Sequence, residues 1–189
     1  MSDDNTLWRA QTYALLANLF SQAPNHTLLA HLAAIDVTEP ESPMGKQWKN
    51  LVHAAKKVDE LALADEYQTL FIGVTHGELI PYGSYYQTGF LMEEPLAELR
   101  TDLAKLGLEK QEDTAEPEDH ISAQCDVMRL ILMAEGVPVV TGKDFFLHHL
   151  KPWITDFFSD LEATKTSVFY QVVGEFGKVF VKMELSEYR

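Results

Sequence analysis

The sequence predicts an all-α protein, a single-domain helical bundle of about eight to ten helices over residues 1–189. Three observations carry that expectation. Apolar residues recur at three- and four-residue spacing through most of the chain, prolines and glycines punctuate these runs, and no apolar-polar alternation is long enough for a sheet. No repeat of fixed period is present.

Taken in order, Leu7, Trp8, Leu15, Leu16, Leu19 and Phe20 mark a first amphipathic helix over residues 6–20, with Asn5 or Thr6 as its cap. Pro24 and Asn25 break it, and Leu28, Leu29, Leu32 and Ile35 mark a second, followed by a loop at 36–43. Ser42-Pro43 reads as a cap and first-turn proline, from which Trp48, Leu51, Val52, Ala55, Val58, Leu61 and Ala62 keep one face of a single long third helix. The run Asp65-Glu66-Tyr67-Gln68-Thr69-Leu70-Phe71-Ile72 continues helical to Gly73, with Tyr67, Leu70 and Phe71 on one face. Residues 74–90 read as a long irregular connection, in which Pro81-Tyr82-Gly83-Ser84-Tyr85-Tyr86 offers rigid aromatic area and hydroxyl groups. That composition suits peptide recognition, and it equally suits a loop with half-buried tyrosines folded over the core.

Glu94-Pro95 opens a helix with Leu96, Leu99, Leu103 and Leu106 inward and Gly107 at its end, and residues 111–115 form a polar connection. Ala115-Glu116-Pro117-Glu118-Asp119-His120 then places three carboxylates, a proline and an imidazole at the entrance of an apolar helix over 121–135. Acidic groups and proline both suit a helix start, so the cluster reads first as a capped entrance, with His120 beginning the helical run. After a loop at 137–143, another helix carries Phe145, Phe146, His148, His149 and Leu150 and is kinked or split at Pro152 before Trp153, Ile154, Phe157 and Phe158. A last helix over 167–183 is apolar nearly all round.

Lys+Arg 15 against Asp+Glu 29 gives a net charge of -14, which repels nucleic-acid phosphates and anionic lipid and attracts cationic partners. No stretch approaches the roughly 20 apolar residues of a membrane helix, and no secretory leader pattern opens the chain, so a cytoplasmic protein is expected. Cys125, the single cysteine, excludes an intrachain disulfide and a cysteine-rich zinc site, and acidic neighbours such as Asp126 would raise its thiol. No metal site is expected: His148 and His149 point to different faces, and no helix carries a His pair at i,i+4. Ser84 lacks the strand-turn-helix setting of a nucleophile, and Thr141-Gly142-Lys143-Asp144 lacks the full phosphate loop. The residues therefore read as a binding protein and not an enzyme. Two alternatives stay open: a metal-dependent hydrolase using Asp119 and His120, and a generic acidic adaptor for a basic partner.

Glu116-Pro117-Glu118-Asp119-His120, together with Glu66-Tyr67-Gln68-Thr69-Leu70-Phe71-Ile72-Gly73, Pro81-Tyr82-Gly83-Ser84, His149-Leu150-Lys151-Pro152-Trp153 and Phe169-Tyr170, resembles the TorD/DmsD family of molybdoenzyme chaperones in the same order along the chain. The resemblance implies an all-helical cytoplasmic chaperone that binds the twin-arginine signal peptide and apo form of a molybdopterin-containing oxidoreductase, assists cofactor insertion and delays export until maturation is complete. Its peptide-binding surface would comprise Tyr67, Leu70, Phe71, Pro81, Tyr82, Ser84, Asp119 and His120, with Glu116 and Trp153 supporting. Some relatives have tryptophan where this chain has Tyr67 and Tyr82, so client preference does not transfer. The family also includes domain-swapped dimers and guanine-nucleotide binding; monomer or dimer, and nucleotide or no cofactor, are left undecided by the sequence.

Overall fold

Polar caps and prolines set most of the helix starts, as a computed structural model describing residues 3–74, 76–110 and 116–188 makes plain. The chain is all-α: ten α-helices and two π-helical turns make up the regular structure of the described residues. Two compact units arise, each from separated segments: Met1–Ser21 with Pro81–Ile154, and Gln22–Ile80 with Thr155–Arg189.

In the first unit α1 (Asp3–Ser21) lies along α7 (Ile121–Met133), and the Ser122 hydroxyl donates to the Ala17 carbonyl at 2.9 Å. Tyr13, Leu16 and Phe20 of α1 and Ile121, Cys125 and Met128 of α7 are buried at helical spacing, which supplies this unit's core. α5 (Gly83–Thr88) packs on α6 (Glu94–Lys105), whose start has the expected Pro95 in its first turn. α8 (Gly142–Phe145), capped by Thr141, runs into a π-helical turn at Phe146–Leu150, and Pro152 then splits the helical path before Ile154.

The second unit stacks α2 (His26–Ala33) and α10 (Phe169–Glu187) on α3 (Pro43–Lys57), with Trp48 edge-on to Phe176 at 4.7 Å. Asn25 caps α2 and Ser42 caps α3 through their side-chain oxygens. α4 (Glu60–Tyr67) continues into a second π-helical turn at Gln68–Ile72, closed by Gly73 at φ +62°. α9 (Ile154–Ala163), all but its first residue in this unit, meets α10 at two glycines. A Cβ at Gly174 would lie 2.6 Å from the Glu162 amide nitrogen, and one at Gly177 would strike the Phe158 ring.

Several expectations need correction. The single third helix is two, because Asp59 accepts from the amides of Leu61 and Ala62 and starts α4 afresh after Lys57. Residues 74–90 are not wholly irregular, since α5 forms within them and ends at Gly89 with φ +83°. The helix after the acidic cluster starts later than its proline suggests: Pro117 lies in the turn before it, and His120 is the cap. The connection expected at 111–115, with Ala115 at the head of the acidic cluster, lies outside the described residues. Among the described residues no helix is long and apolar enough to cross a membrane.

Candidate functional site

The segments 81–84 and 119–121 are zipped together. Tyr82 and His120 form an antiparallel bridge, in which the Gly83 amide donates to the Asp119 carbonyl and the Ile121 amide to the Pro81 carbonyl, each at 2.9 Å. Pro81, Tyr82, Ser84, Glu116, Asp119 and His120, chosen from sequence, therefore meet in the first unit. The Tyr82 ring stands edge-on to the His120 imidazole at 5.0 Å, and its hydroxyl donates to the Glu116 carboxylate.

The three carboxylates of the cluster have three different fates. Glu116 is exposed and takes the Tyr82 hydroxyl. Glu118 receives both arms of the Arg100 guanidinium, at 2.9 and 2.8 Å; these hydrogen bonds hold its carboxyl below the usual range and raise Arg100. Asp119 is 1% exposed and accepts the Ser84 amide on Oδ2 at 2.8 Å, fixing the start of α5, while its Oδ1 has no donor. His120 accepts the Ser122 amide on Nδ1 at 3.2 Å. Burial pushes this imidazole down to about 4 against the opposing pull of Glu116 and Asp119, so it stays uncharged near neutrality and serves as a cap.

The remaining sequence-chosen residues are placed otherwise. Trp153 belongs to this unit but is core: its indole N–H donates to the His149 carbonyl at 2.8 Å, and its ring lies 5.6 Å from that of Tyr86. Tyr67, Leu70 and Phe71 belong to the second unit, where Leu70 is buried and the Tyr67 and Phe71 rings, 5.1 Å apart, are half-buried beside Tyr170. Pro81 and Ser84 are buried too, so the chosen side chains open to a partner are Tyr82, Glu116, Tyr67 and Phe71. Burial comes before Asp126 in raising the Cys125 thiol. Among the described residues no three His, Cys, Asp or Glu side chains gather as metal ligands would.

Sequence reasoning passed over Gln124 and Asp102. Gln124 is buried on the first turn of α7, its amide nitrogen donating to the Asp119 carbonyl at 3.0 Å. Asp102 joins His149 at 2.8 Å and Lys105 at 2.7 Å; burial works to raise its carboxyl, but these two hydrogen bonds outweigh it and hold it low.

The family model for the nitrate reductase delta subunit matches residues 38–159. The chain belongs to that family, and within it to the TorD/DmsD chaperones. It is similar to the chaperone protein TorD of Vibrio cholerae, at 24% identity over 79% of this chain and 77% of the relative. A Haemophilus influenzae protein named as a Tat proofreading chaperone DmsD is 28% identical over 89% of this chain and 86% of the relative. A crystallised Archaeoglobus fulgidus protein described as a redox enzyme maturation protein shares the fold, with TM-score 0.62 and 23% identity over 92% of this chain and 93% of that one. In TorD/DmsD terms, the paired segments 81–84 and 119–121 are the part of this chain where the motif residues converge.

Proposed function

We propose that this protein is a system-specific, non-enzymatic chaperone. It binds the twin-arginine signal peptide and apo form of a molybdopterin-containing oxidoreductase in the cytoplasm, assists cofactor insertion and delays export until maturation is done. The observation that carries this reading is the bridge between Tyr82 and His120, which sets a half-buried tyrosine beside an exposed carboxylate on a chain of net charge -14. An apolar leader segment complements the ring, and paired arginines complement the carboxylates. Tyr67 and Phe71, half-buried in the second unit, are proposed separately as apolar contacts for the client, and client binding unchanged by Tyr67→Ala/Phe71→Ala at preserved helical circular dichroism removes them.

Titration calorimetry with a synthetic twin-arginine leader tests the proposal. Saturable one-to-one binding is expected, weakened about tenfold or more by Tyr82→Ala. Silence toward molybdoenzyme leaders overturns the function. Unchanged binding by an Asp119→Ala/His120→Ala/Tyr82→Ala variant that keeps its helical circular dichroism overturns the site. Equal binding of a scrambled basic peptide, fading steeply with salt, would make the protein a generic acidic adaptor instead.

A further inference from the structure

Charge is spread unevenly along this chain. α3 carries Lys46, Lys49, Lys56 and Lys57, four of the 15 Lys and Arg in the sequence, and none of its 29 Asp and Glu. These lysines and His53 are exposed. On a helical wheel they fall within about 100° of arc, opposite buried Met44, Leu51 and Ala55, and they span about 17 Å of the helix. α2, which stacks on α3, has no acidic residue either. Acidic residues border α3 at its ends, Glu39 and Glu41 before it and Asp59 and Glu60 after it, and Asp59 is engaged with the amides of Leu61 and Ala62. Among the described residues Lys46, Lys56 and Lys57 have no ion-pair partner; Lys49 meets Glu41 at 3.3 Å with both side chains open to water, a contact worth little.

We infer that the exposed face of α3 is a peripheral docking surface for an anionic phospholipid bilayer, held by electrostatic attraction without insertion. This goes beyond the chaperone reading and does not depend on it. The side-chain chemistry selects the partner. Lysine is a compact, hydrated point charge on a flexible stem, which suits a fluid layer of headgroups, whereas planar two-point recognition of a fixed phosphate or carboxylate uses arginine, which α3 lacks. A folded acidic protein is the poorer match, because protein interfaces are anchored by aromatic and arginine side chains and depleted in lysine. The one aromatic residue of α3, Trp48, is half-buried against Phe176. A line of ammonium groups along a convex helix lies on a plane and encloses nothing. The net charge of -14 opposes approach of the chain as a whole, but that repulsion is screened within about 8 Å at physiological salt, so a face touching the headgroups feels mainly its own charge. The same opposition gives the docking a direction, with α3 toward the lipid. Each lysine near the surface strengthens such a contact about fivefold, which makes it reversible and sensitive to salt.

The test is vesicle co-sedimentation with the full chain at low salt. Vesicles of phosphatidylcholine alone are compared with vesicles containing about one-third phosphatidylglycerol. The native chain is expected to sediment with the mixed vesicles and not with the neutral ones, and to be released as salt rises to about 0.5 M. Lys46→Gln/Lys56→Gln/Lys57→Gln, in which glutamine keeps the helix propensity of lysine, should weaken the partition about a hundredfold at unchanged helical circular dichroism. Lys143→Gln/Lys151→Gln/Lys165→Gln removes the same charge from exposed lysines elsewhere and should change it less than about threefold. Equal losses in the two variants would trace the binding to net charge and overturn the assignment to α3. No sedimentation with the mixed vesicles, or equal sedimentation with the neutral ones, overturns the inference outright. Tighter binding of polyglutamate or duplex DNA than of mixed vesicles, at equal anionic charge, gives the face to another polyanion and overturns it too. The leader titration is unaffected by any of these results.

Discussion

Asp119 in the first unit and Glu66 in the second do the same job to different extents. Each is a carboxylate that reaches across the sequence to accept backbone amides at the start of another helix. Glu66 uses both oxygens: Oε1 takes Val168 at 2.8 Å and Phe169 at 3.3 Å, and Oε2 takes Phe169 at 3.1 Å and Tyr170 at 3.3 Å, so α10 has the cap that its own Val168 cannot provide. Asp119 uses one oxygen on Ser84 and leaves the other in a cleft. The saturated carboxylate completes a cap, whereas the half-used one keeps a buried oxygen without a donor.

Acid should separate the two regions most strongly. The His120 imidazole has a folded value of about 4 against 6.5 for the free group, so the folded state binds fewer protons than the unfolded chain between these limits. Its contribution to stability is therefore complete above pH 6.5 and is lost as pH falls toward 4, by about 3 kcal/mol at most. Urea melts at pH 7 and pH 4.5 should show that loss, and His120→Asn, which keeps a capping side chain, should flatten it. Glu66→Ala should leave the His120 contribution to this slope intact.

The next largest effect is expected at Glu66 itself. Glu66→Ala strips α10 of its cap and should cost about 2 kcal/mol in a denaturant melt, with leader affinity changed less than twofold. A large loss of affinity at preserved fold would break the contrast, because it would make Glu66 part of the binding surface. Asp119→Asn should behave oppositely, holding Ser84 with its amide oxygen at a stability cost under about 1 kcal/mol while lowering leader affinity markedly in calorimetry. Smallest of all, Tyr82→Phe removes only the bond to exposed Glu116 and should shift stability by about 0.5 kcal/mol or less.

Much of the fold is legible in the sequence because its signals are local. Asn25, Ser42 and Thr141 cap the helices that follow them, Pro43 and Pro95 sit in first turns, and Pro152 splits the helix that it interrupts. Asp59 and Gly89 carried equally local signals, for a helix start and a helix end, and were outweighed by an apolar stripe on one side and a glycine-rich composition on the other. At the site, the motif residues could be named, but not divided into exposed and buried, since a tyrosine or an aspartate looks alike in both settings. The roles of Glu66 and Gln124 depend on which carbonyls and amides face them after folding. Glu66 meets partners about a hundred positions away, and no spacing rule reaches that far.

The discontinuous make-up of both units bears on how the chain emerges from a ribosome. When synthesis has reached Ile80, α1 exists without α7 along which it packs, and α3 lacks α10. Apolar faces such as Tyr13, Leu16 and Phe20 must wait for later segments, so neither core closes until the second segment of its unit has been made. A protein proposed to shelter an unfinished polypeptide thus meets, during its own translation, the hazard it would relieve.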